Sequence, residues 1–384
     1  MKNIALVVYG RFPTERAYGS HIIDTANGFL ENGLNVTVLY SKTNNQKSLH
    51  INPEEYYKST NINFVEVENL DFTKYKLYEF LPKIFQKAFW TIGAYFWSIK
   101  LGSYLDGVDT IWSTNPNVLF RYRNKNKTVI YEKHGAGKRL QKYTVKKISK
   151  NKNVFFVGTS MTSYKELFAL SPDNTIYLTN GVNLNNYNNQ KSPKESSKLN
   201  IGYIGMLETY GVDKGVKEAF QKLKEISNEF NFKLTLIGGP KNKIDEIVNQ
   251  FDDSEVELDY KYKIPKNEVP SNIQKLDIGI VPYPDEYHMS NYASPMKIFE
   301  YAAGNVVILS SDIKSNLELS ETGLGIIYFK AGNFDDFKNK IIDLLKDDTL
   351  RSSLINKSEK NIEQFSIKNR IEKLINFCVR SSIG

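Results

Sequence analysis

The sequence predicts an α/β protein built from two doubly wound parallel domains. Three observations predict it. Short β-branched apolar runs recur along the chain, helical periodicity separates them, and one polar stretch interrupts the alternation near its middle. The 384 residues leave room for two or three domains of ordinary size. Hydrophobic residues make up 41% and aromatic residues 13%, enough for two cores.

In the first half the strand candidates are residues 4–9, 36–40, 62–67, 110–112, 128–131, 154–157 and 176–178. Between the first two, Ile22, Ile23, Ala26, Phe29 and Leu30 repeat at helical spacing, and Gly33 suits a helix stop. Strand, helix and strand in that order imply a parallel sheet. Residues 183–198 read NLNNYNNQKSPKESSK, which is a linker signal. The alternation then restarts. Strands are expected at 199–204, 234–237, 256–258, 278–281, 306–309 and 326–328, and helices at about 216–229, 243–250, 296–303 and 334–345. A last helix over 368–379 has Ile371, Leu374, Ile375 and Val379 on one side. The expected division is a Rossmann-like domain over 1–182, a linker over 183–198, a second such domain over 199–365, and a terminal segment 366–384 packing back on the first. Two such domains facing a cleft suit a ligand held at the carboxyl ends of parallel strands.

Composition excludes several chemistries. The single Cys378 cannot form an internal disulfide and rules out cysteine-rich zinc sites. The four histidines, His21, His50, His134 and His288, form no HExxH or HxH pair. Lys and Arg exceed Asp and Glu by 51 to 43, a net charge of +8, which favours anionic partners. Nucleic acid is not expected, because no recognition motif with clustered basic and stacking residues is present. The first apolar run is too short for a secretory core, which needs about 7 to 15 residues. The uncharged stretch 88–99 is shorter than the roughly 20 residues of a spanning helix. A cytoplasmic protein is expected, at most peripheral to the inner face of the plasma membrane.

Several segments could carry chemistry. Residues 10–21 join the first strand to its helix, where free N–H groups could hold an anion; an ordinary loop is the alternative. Gly205 ends the first strand of the second half. Lys214 stands before Gly215 and a helix, placed to neutralise a diphosphate, or simply exposed. In 294–304, Ser294 is a suitable N-cap, Pro295 a suitable N1 and Gly304 a suitable stop. That helix would offer the Met296 and Lys297 amides to a phosphate, and Glu300, one turn on, could accept both hydroxyls of a ribose. A surface ion pair between Lys297 and Glu300 is the alternative. The strand before it delivers the loop carrying Tyr283, Asp285 and Glu286. His134 follows a strand beside glycines and could reach a substrate hydroxyl, or be structural. Residues 81–105 place Trp90 and Trp97 near Lys83 and Lys87, as a helix in a bilayer interface would, or as a core helix.

These segments, in this order, resemble a retaining glycosyltransferase of the GT-B fold, glycosyltransferase family 4. The likeness runs from Phe12-Pro13-Thr14-Glu15-Arg16-Ala17-Tyr18-Gly19, through Asn180-Gly181-Val182-Asn183 and the loop 262–270, to the SPxKxxEYxAxG pattern of 294–304. The resemblance implies transfer of a sugar from a UDP- or GDP-sugar to a glycan or lipid-linked saccharide, in bacterial surface polysaccharide or glycoconjugate synthesis. No metal or other cofactor is expected, and an anionic membrane surface is an expected partner. Lys214 and Lys297 would hold the diphosphate with the amides of 294–297. Glu300 would bind the ribose, and Lys263 and Ile264 would flank the base. Gly19 and Ser20 would approach the diphosphate, and His134 would face the transferred sugar. Two positions depart from the family: Met206 stands where many members have Arg, and Tyr292 where the EX7E motif has its first Glu. Lys297 could replace the arginine, and Asp285 or Glu286 the acid. The alternatives are a sugar-nucleotide epimerase or hydrolase, and a non-catalytic nucleotide-sugar-binding homologue.

Overall fold

The computed structural model describes residues 1–43, 49, 51–69, 80–187, 198–209, 211–252 and 254–383, without the side chains of Lys87 and 381–383. His50 and most of the expected linker lie outside the described residues. The chain divides into two compact units, Met1–Thr179 with Ile367–Gly384, and Asn180–Ser366. The boundary thus falls before residue 182, and the described residues 183–187 and 198 group with the second unit.

In unit 1, seven strands form one parallel sheet: β1 (Asn3–Val8), β2 (Asn35–Ser41), β3 (Asn63–Val67), β4 (Thr110–Ser113), β5 (Thr128–Lys133), β6 (Val154–Gly158) and β7 (Thr175–Tyr177). Their order is β3-β2-β1-β4-β5-β6-β7. Alternate residues of β1 build two cores. Ile4, Leu6 and Val8 pack with Ala26 and Phe29 of the helix Ala17–Glu31. Ala5, Val7 and Tyr9 pack with Ala94 and Trp97 of the helix Lys83–Lys100. A strand covered on both faces reads as a continuous apolar run, which is why β1 was visible in the sequence. The terminal helix Ile367–Ile383 adds Ile371, Leu374 and Cys378 to the first core. It approaches the helix Ala17–Glu31 closely at Gly28, where a Cβ would meet Ile371 Cγ1 at 2.6 Å.

Unit 2 carries a six-stranded parallel sheet of β8 (Leu199–Met206), β11 (Phe232–Gly239), β12 (Leu258–Lys261), β13 (Ile278–Val281), β14 (Val307–Ser311) and β15 (Ile326–Phe329). The order is β12-β11-β8-β13-β14-β15. A small hairpin, β9 (Glu208–Thr209) and β10 (Val212–Asp213), leads from β8 towards Lys214. Two expectations shift. The expected strand 256–258 forms at Leu258–Lys261, and the helix expected over 216–229 ends at Glu225. The helix Asp348–Asn361 was not foreseen; it buries only Leu354 and Ser358, too few for a periodic signal.

Candidate functional site

In unit 2, β8 lies between β11 and β13, so the chain leaves in opposite directions on either side of it. The carboxyl end of such a strand is where open parallel sheets bind ligands. Here the next-to-last residue of β8 is Gly205, whose φ of +149° suits glycine. The Lys297 ammonium reaches this point. It donates to the Ile204 carbonyl, lies 5.3 Å from the Tyr203 ring centre and 4.0 Å from Glu300. A Cβ on residue 205 would occupy the place of that ammonium. Lys214 arrives by the hairpin, its amide bonded to the Leu207 carbonyl and its ammonium 5.3 Å from the Tyr283 ring centre. Gly215, with φ +75°, starts the helix behind it. The Tyr203 hydroxyl, which lies near that of Tyr283, donates to the Met206 carbonyl at 2.7 Å.

The two lysines share this corner at some electrostatic cost. Burial, and then Lys297, pushes the Lys214 ammonium down to about 7. Burial also lowers Lys297, against the pull of Glu300. Two half-buried ammonium groups with one nearby carboxylate make a site that gains from an anion.

The helix Met296–Ala303 supplies Lys297 and Glu300 one turn apart, and its first amides point out of its N-terminus. Its cap differs from expectation. Pro295 is the N-cap residue, and Ser294 does not cap the helix. The Ser294 hydroxyl instead accepts the Asn180 N–H at 2.8 Å, while the Asn180 amide donates to the Ser294 carbonyl at 3.2 Å. Pro295 at ψ 88° turns the serine away from the helix.

Other expected residues lie apart. Lys263 is exposed after β12, and Ile264 is half-buried against the core. Met206 is 50% exposed. Tyr292 is buried, which explains an aromatic residue where an acid was sought. Asp285 accepts a hydrogen bond from Ser290, and Glu286 starts the helix Tyr287–Tyr292.

In unit 1, β5 delivers Glu132 and then His134. The buried Glu132 Oε1 lies 2.8 Å from His21 Nε2, 2.9 Å from His134 Nε2 and 2.9 Å from Arg370 Nη2. Trp112 donates to the other carboxylate oxygen at 3.3 Å. Burial pushes this carboxyl up, but Arg370, then His21, then His134 together hold it well below the carboxylate range. Burial lowers His21. His134 is a third exposed and is the member open to a ligand. Glu132, His21 and Arg370 had no role in the sequence reading. Residues 21, 132 and 370 are too far apart for spacing to reveal them, although a Glu two residues before a strand-end His was a usable signal. His21, Glu132 and His134 bring three potential metal-ligating atoms within 4.8 Å of one another. Arg370 already balances the carboxylate, so a cation there would meet a positive neighbour.

Gly19 is explained by packing. A Cβ would meet the Tyr57 hydroxyl at 2.2 Å and the Thr14 carbonyl at 2.7 Å. Ser20 follows it in the first helix, half-buried. In the helix Lys83–Lys100, Trp97 is a core residue, 1% exposed, donating to the Val67 carbonyl at 3.2 Å. That corrects its expected place at a membrane. Trp90 is half-buried with its ring 4.7 Å from Tyr9. The solvent side of the helix is instead made by Ile84, Phe85, Ile92, Phe96 and Ile99 with Lys83. The Lys87 side chain lies outside the described residues. Among the described residues no helix is long and apolar enough to cross a membrane.

Residues 198–347, which carry the Lys214, Lys297 and Glu300 corner, match the family model described as Glycosyl transferases group 1. No curated protein sequence matches the chain. Among solved structures, a glycosyltransferase from Rickettsia africae ESF-5 is similar with a TM-score of 0.72 at 13% identity, covering 99% of this chain and 98% of that one. Sucrose-phosphate synthase from Thermosynechococcus elongatus gives 0.69 at 14%, covering 98% of each chain. Anabaena Alr3699/HepE in complex with UDP gives 0.69 at 13%, covering 98% of this chain and 100% of that one. The fold is GT-B, with two doubly wound parallel sheets.

Proposed function

We propose that the chain is a glycosyltransferase that binds a nucleoside diphosphate sugar at the end of β8 and transfers the sugar to an acceptor hydroxyl with retention. The observation that carries this reading is the convergence of Lys214, Lys297 and Glu300 on one strand end, inside the segment that matches the family model. In this reading the diphosphate takes the two ammonium groups and the Met296 and Lys297 amides. Glu300 accepts the ribose hydroxyls, and Ile264 and Lys263 lie beside the base. Lys297, at Gly205, provides the charge that Met206 lacks. The sugar–phosphate C–O bond breaks, the acceptor oxygen bonds to the anomeric carbon, and the acceptor proton passes to the departing diphosphate. Charge gathers on that diphosphate as the bond breaks, and stabilising it is worth several kcal/mol in oxyanion sites generally. A uridine nucleotide is favoured by the likeness to Anabaena Alr3699/HepE, which holds UDP and UDP-glucose in its crystal structures. His134 would present its imidazole, oriented by Glu132, to a sugar hydroxyl.

The acceptor is proposed to be a saccharide reached at an anionic membrane surface. Two facts support this. The helix Lys83–Lys100 turns Ile84, Phe85 and Phe96 to solvent, at 72%, 55% and 50% exposure. Residues 80–165 hold sixteen Lys and Arg against three Asp and Glu.

A thermal-shift panel of UDP-, GDP-, ADP- and CMP-sugars tests the donor reading. One nucleotide should stabilise the wild type by about 2.7 kcal/mol at a hundredfold excess over its dissociation constant, and the shift should vanish in Glu300→Ala. Stabilisation by none of them would overturn the proposal.

A further inference from the structure

The two lysines at the end of β8 are not equally provided for. Lys297 donates to the Ile204 carbonyl and lies 4.0 Å from the Glu300 carboxylate. The Lys214 ammonium has no ion pair or hydrogen bond among the described residues. The carboxylate next to it in sequence, Asp213, is engaged elsewhere: it accepts the Gly215 N–H at 2.9 Å and pairs with Lys243 at 3.3 Å. Lys297 repels Lys214 from the other side of the corner. Tyr203, Tyr283 and Tyr301 are buried around it, and burial raises each phenol, so none supplies a phenolate as counter-charge. What Lys214 does meet is a ring face. Its ammonium stands 5.3 Å from the centre of the Tyr283 ring, within the range over which the negative face of an aromatic ring attracts a cation.

The backbone on both sides sets this contact. β13 ends at Val281, and Pro282 leads directly into Tyr283. Gly215 has no room for a Cβ, which would collide with the Pro282 carbonyl. The glycine therefore lets the chain leaving the hairpin settle on the chain leaving β13, and Lys214 and Tyr283 each neighbour one member of that approach. Tyr283 is 8% exposed, so its ring acts in a poorly hydrated corner, where such contacts are strongest.

We propose that Tyr283 is a positioning residue of the donor site, its ring holding the Lys214 ammonium in place and charged for the diphosphate. This role rests on the glycosyltransferase reading; the contact between ring and ammonium does not. The test labels the full-length chain with trace acetic anhydride between about pH 5.5 and 9 and reads acetylation at Lys214 by peptide mass spectrometry. Only the neutral amine reacts, so the midpoint reports the ammonium itself. It should lie at about 7 in the wild type and in Tyr283→Phe, which keeps the ring, and fall to about 6 in Tyr283→Leu, which does not. Tyr283→pentafluorophenylalanine keeps shape and burial while inverting the charge of the ring face, and should behave as Tyr283→Leu does, so the test survives poor folding of the leucine variant. Calorimetry with UDP, GDP and ADP gives the functional arm. The nucleotide that binds should bind Tyr283→Leu within about twofold of the wild type at pH 6 and about tenfold more weakly at pH 8, whereas a merely structural defect would weaken both alike. One Lys214 midpoint shared by all four proteins, or equal weakening at the two pH values, would overturn the role of Tyr283 and leave the donor reading standing. Binding of none of the nucleotides by the wild type would overturn the donor reading, and the role of Tyr283 with it.

Discussion

In the proposed donor site, Lys214 is the residue whose charge should most directly set donor binding. Its ammonium is pushed down to about 7 by burial and then by Lys297, and only the protonated form attracts a diphosphate. Above that pH, binding must take up a proton. Affinity for the nucleotide sugar should therefore fall as pH rises past about 7, by up to about tenfold per unit, and the slope should flatten in Lys214→Ala. Calorimetric titrations between about pH 6 and 9 read this directly; an equally steep profile in the variant would contradict it. Glu132 is the corresponding residue of unit 1, buried against Arg370. Glu132→Gln should cost about 3–5 kcal/mol in denaturant unfolding, because it leaves a buried guanidinium without its counter-charge. Replacing Arg370 with Met as well should recover part of that loss, whereas additive losses would argue against the pairing. Single residues were partly legible in the sequence. Lys297 and Glu300 sit three positions apart on one helix, and that spacing shows. Arg370 reaches Glu132 from 238 residues away, and nothing in the spacing shows it.

The strands were the most legible elements, because a strand buried on both faces writes an unbroken apolar run. The helix Lys83–Lys100 was harder to read. Trp90 and Trp97 are seven residues apart and so share a face, and that face is the inner one, against Tyr9 at 4.7 and 5.5 Å. Composition suggested an interfacial helix, but the spacing of the two tryptophans already pointed inward. The exposed apolar stripe lies on the other side, with Lys83 beside it. Each basic residue near an anionic bilayer contributes about 1 kcal/mol. Lys83→Glu combined with Phe85→Ser should therefore release the protein from phosphatidylglycerol vesicles in a sedimentation assay. Unchanged sedimentation would remove the membrane from the account. The helix Met296–Ala303 was placed correctly, while its cap was not: Ser294 reads as an N-cap by type, but Asn180, 114 residues earlier, claims its hydroxyl.

At the scale of the whole molecule, two sheets each reverse strand order at their first strand, β1 in unit 1 and β8 in unit 2. The repetition of strand and helix made this architecture readable, yet the point of division was not. The polar segment 183–198 suggested a linker, whereas the units part at Thr179 and again at Ser366, where the chain returns to unit 1 as its terminal helix. Composition marks polar segments, and compactness is decided by packing that composition does not record. The central claim is that the reversal point at β8 holds a diphosphate. The most direct measurement compares, by calorimetry, the nucleoside diphosphate chosen by the donor panel with its nucleoside, in the wild type and in Lys214→Ala/Lys297→Ala. The account predicts that the diphosphate binds at least about a hundredfold more tightly than the nucleoside and that the double variant largely erases the difference. Equal preference for the diphosphate in both proteins would contradict it.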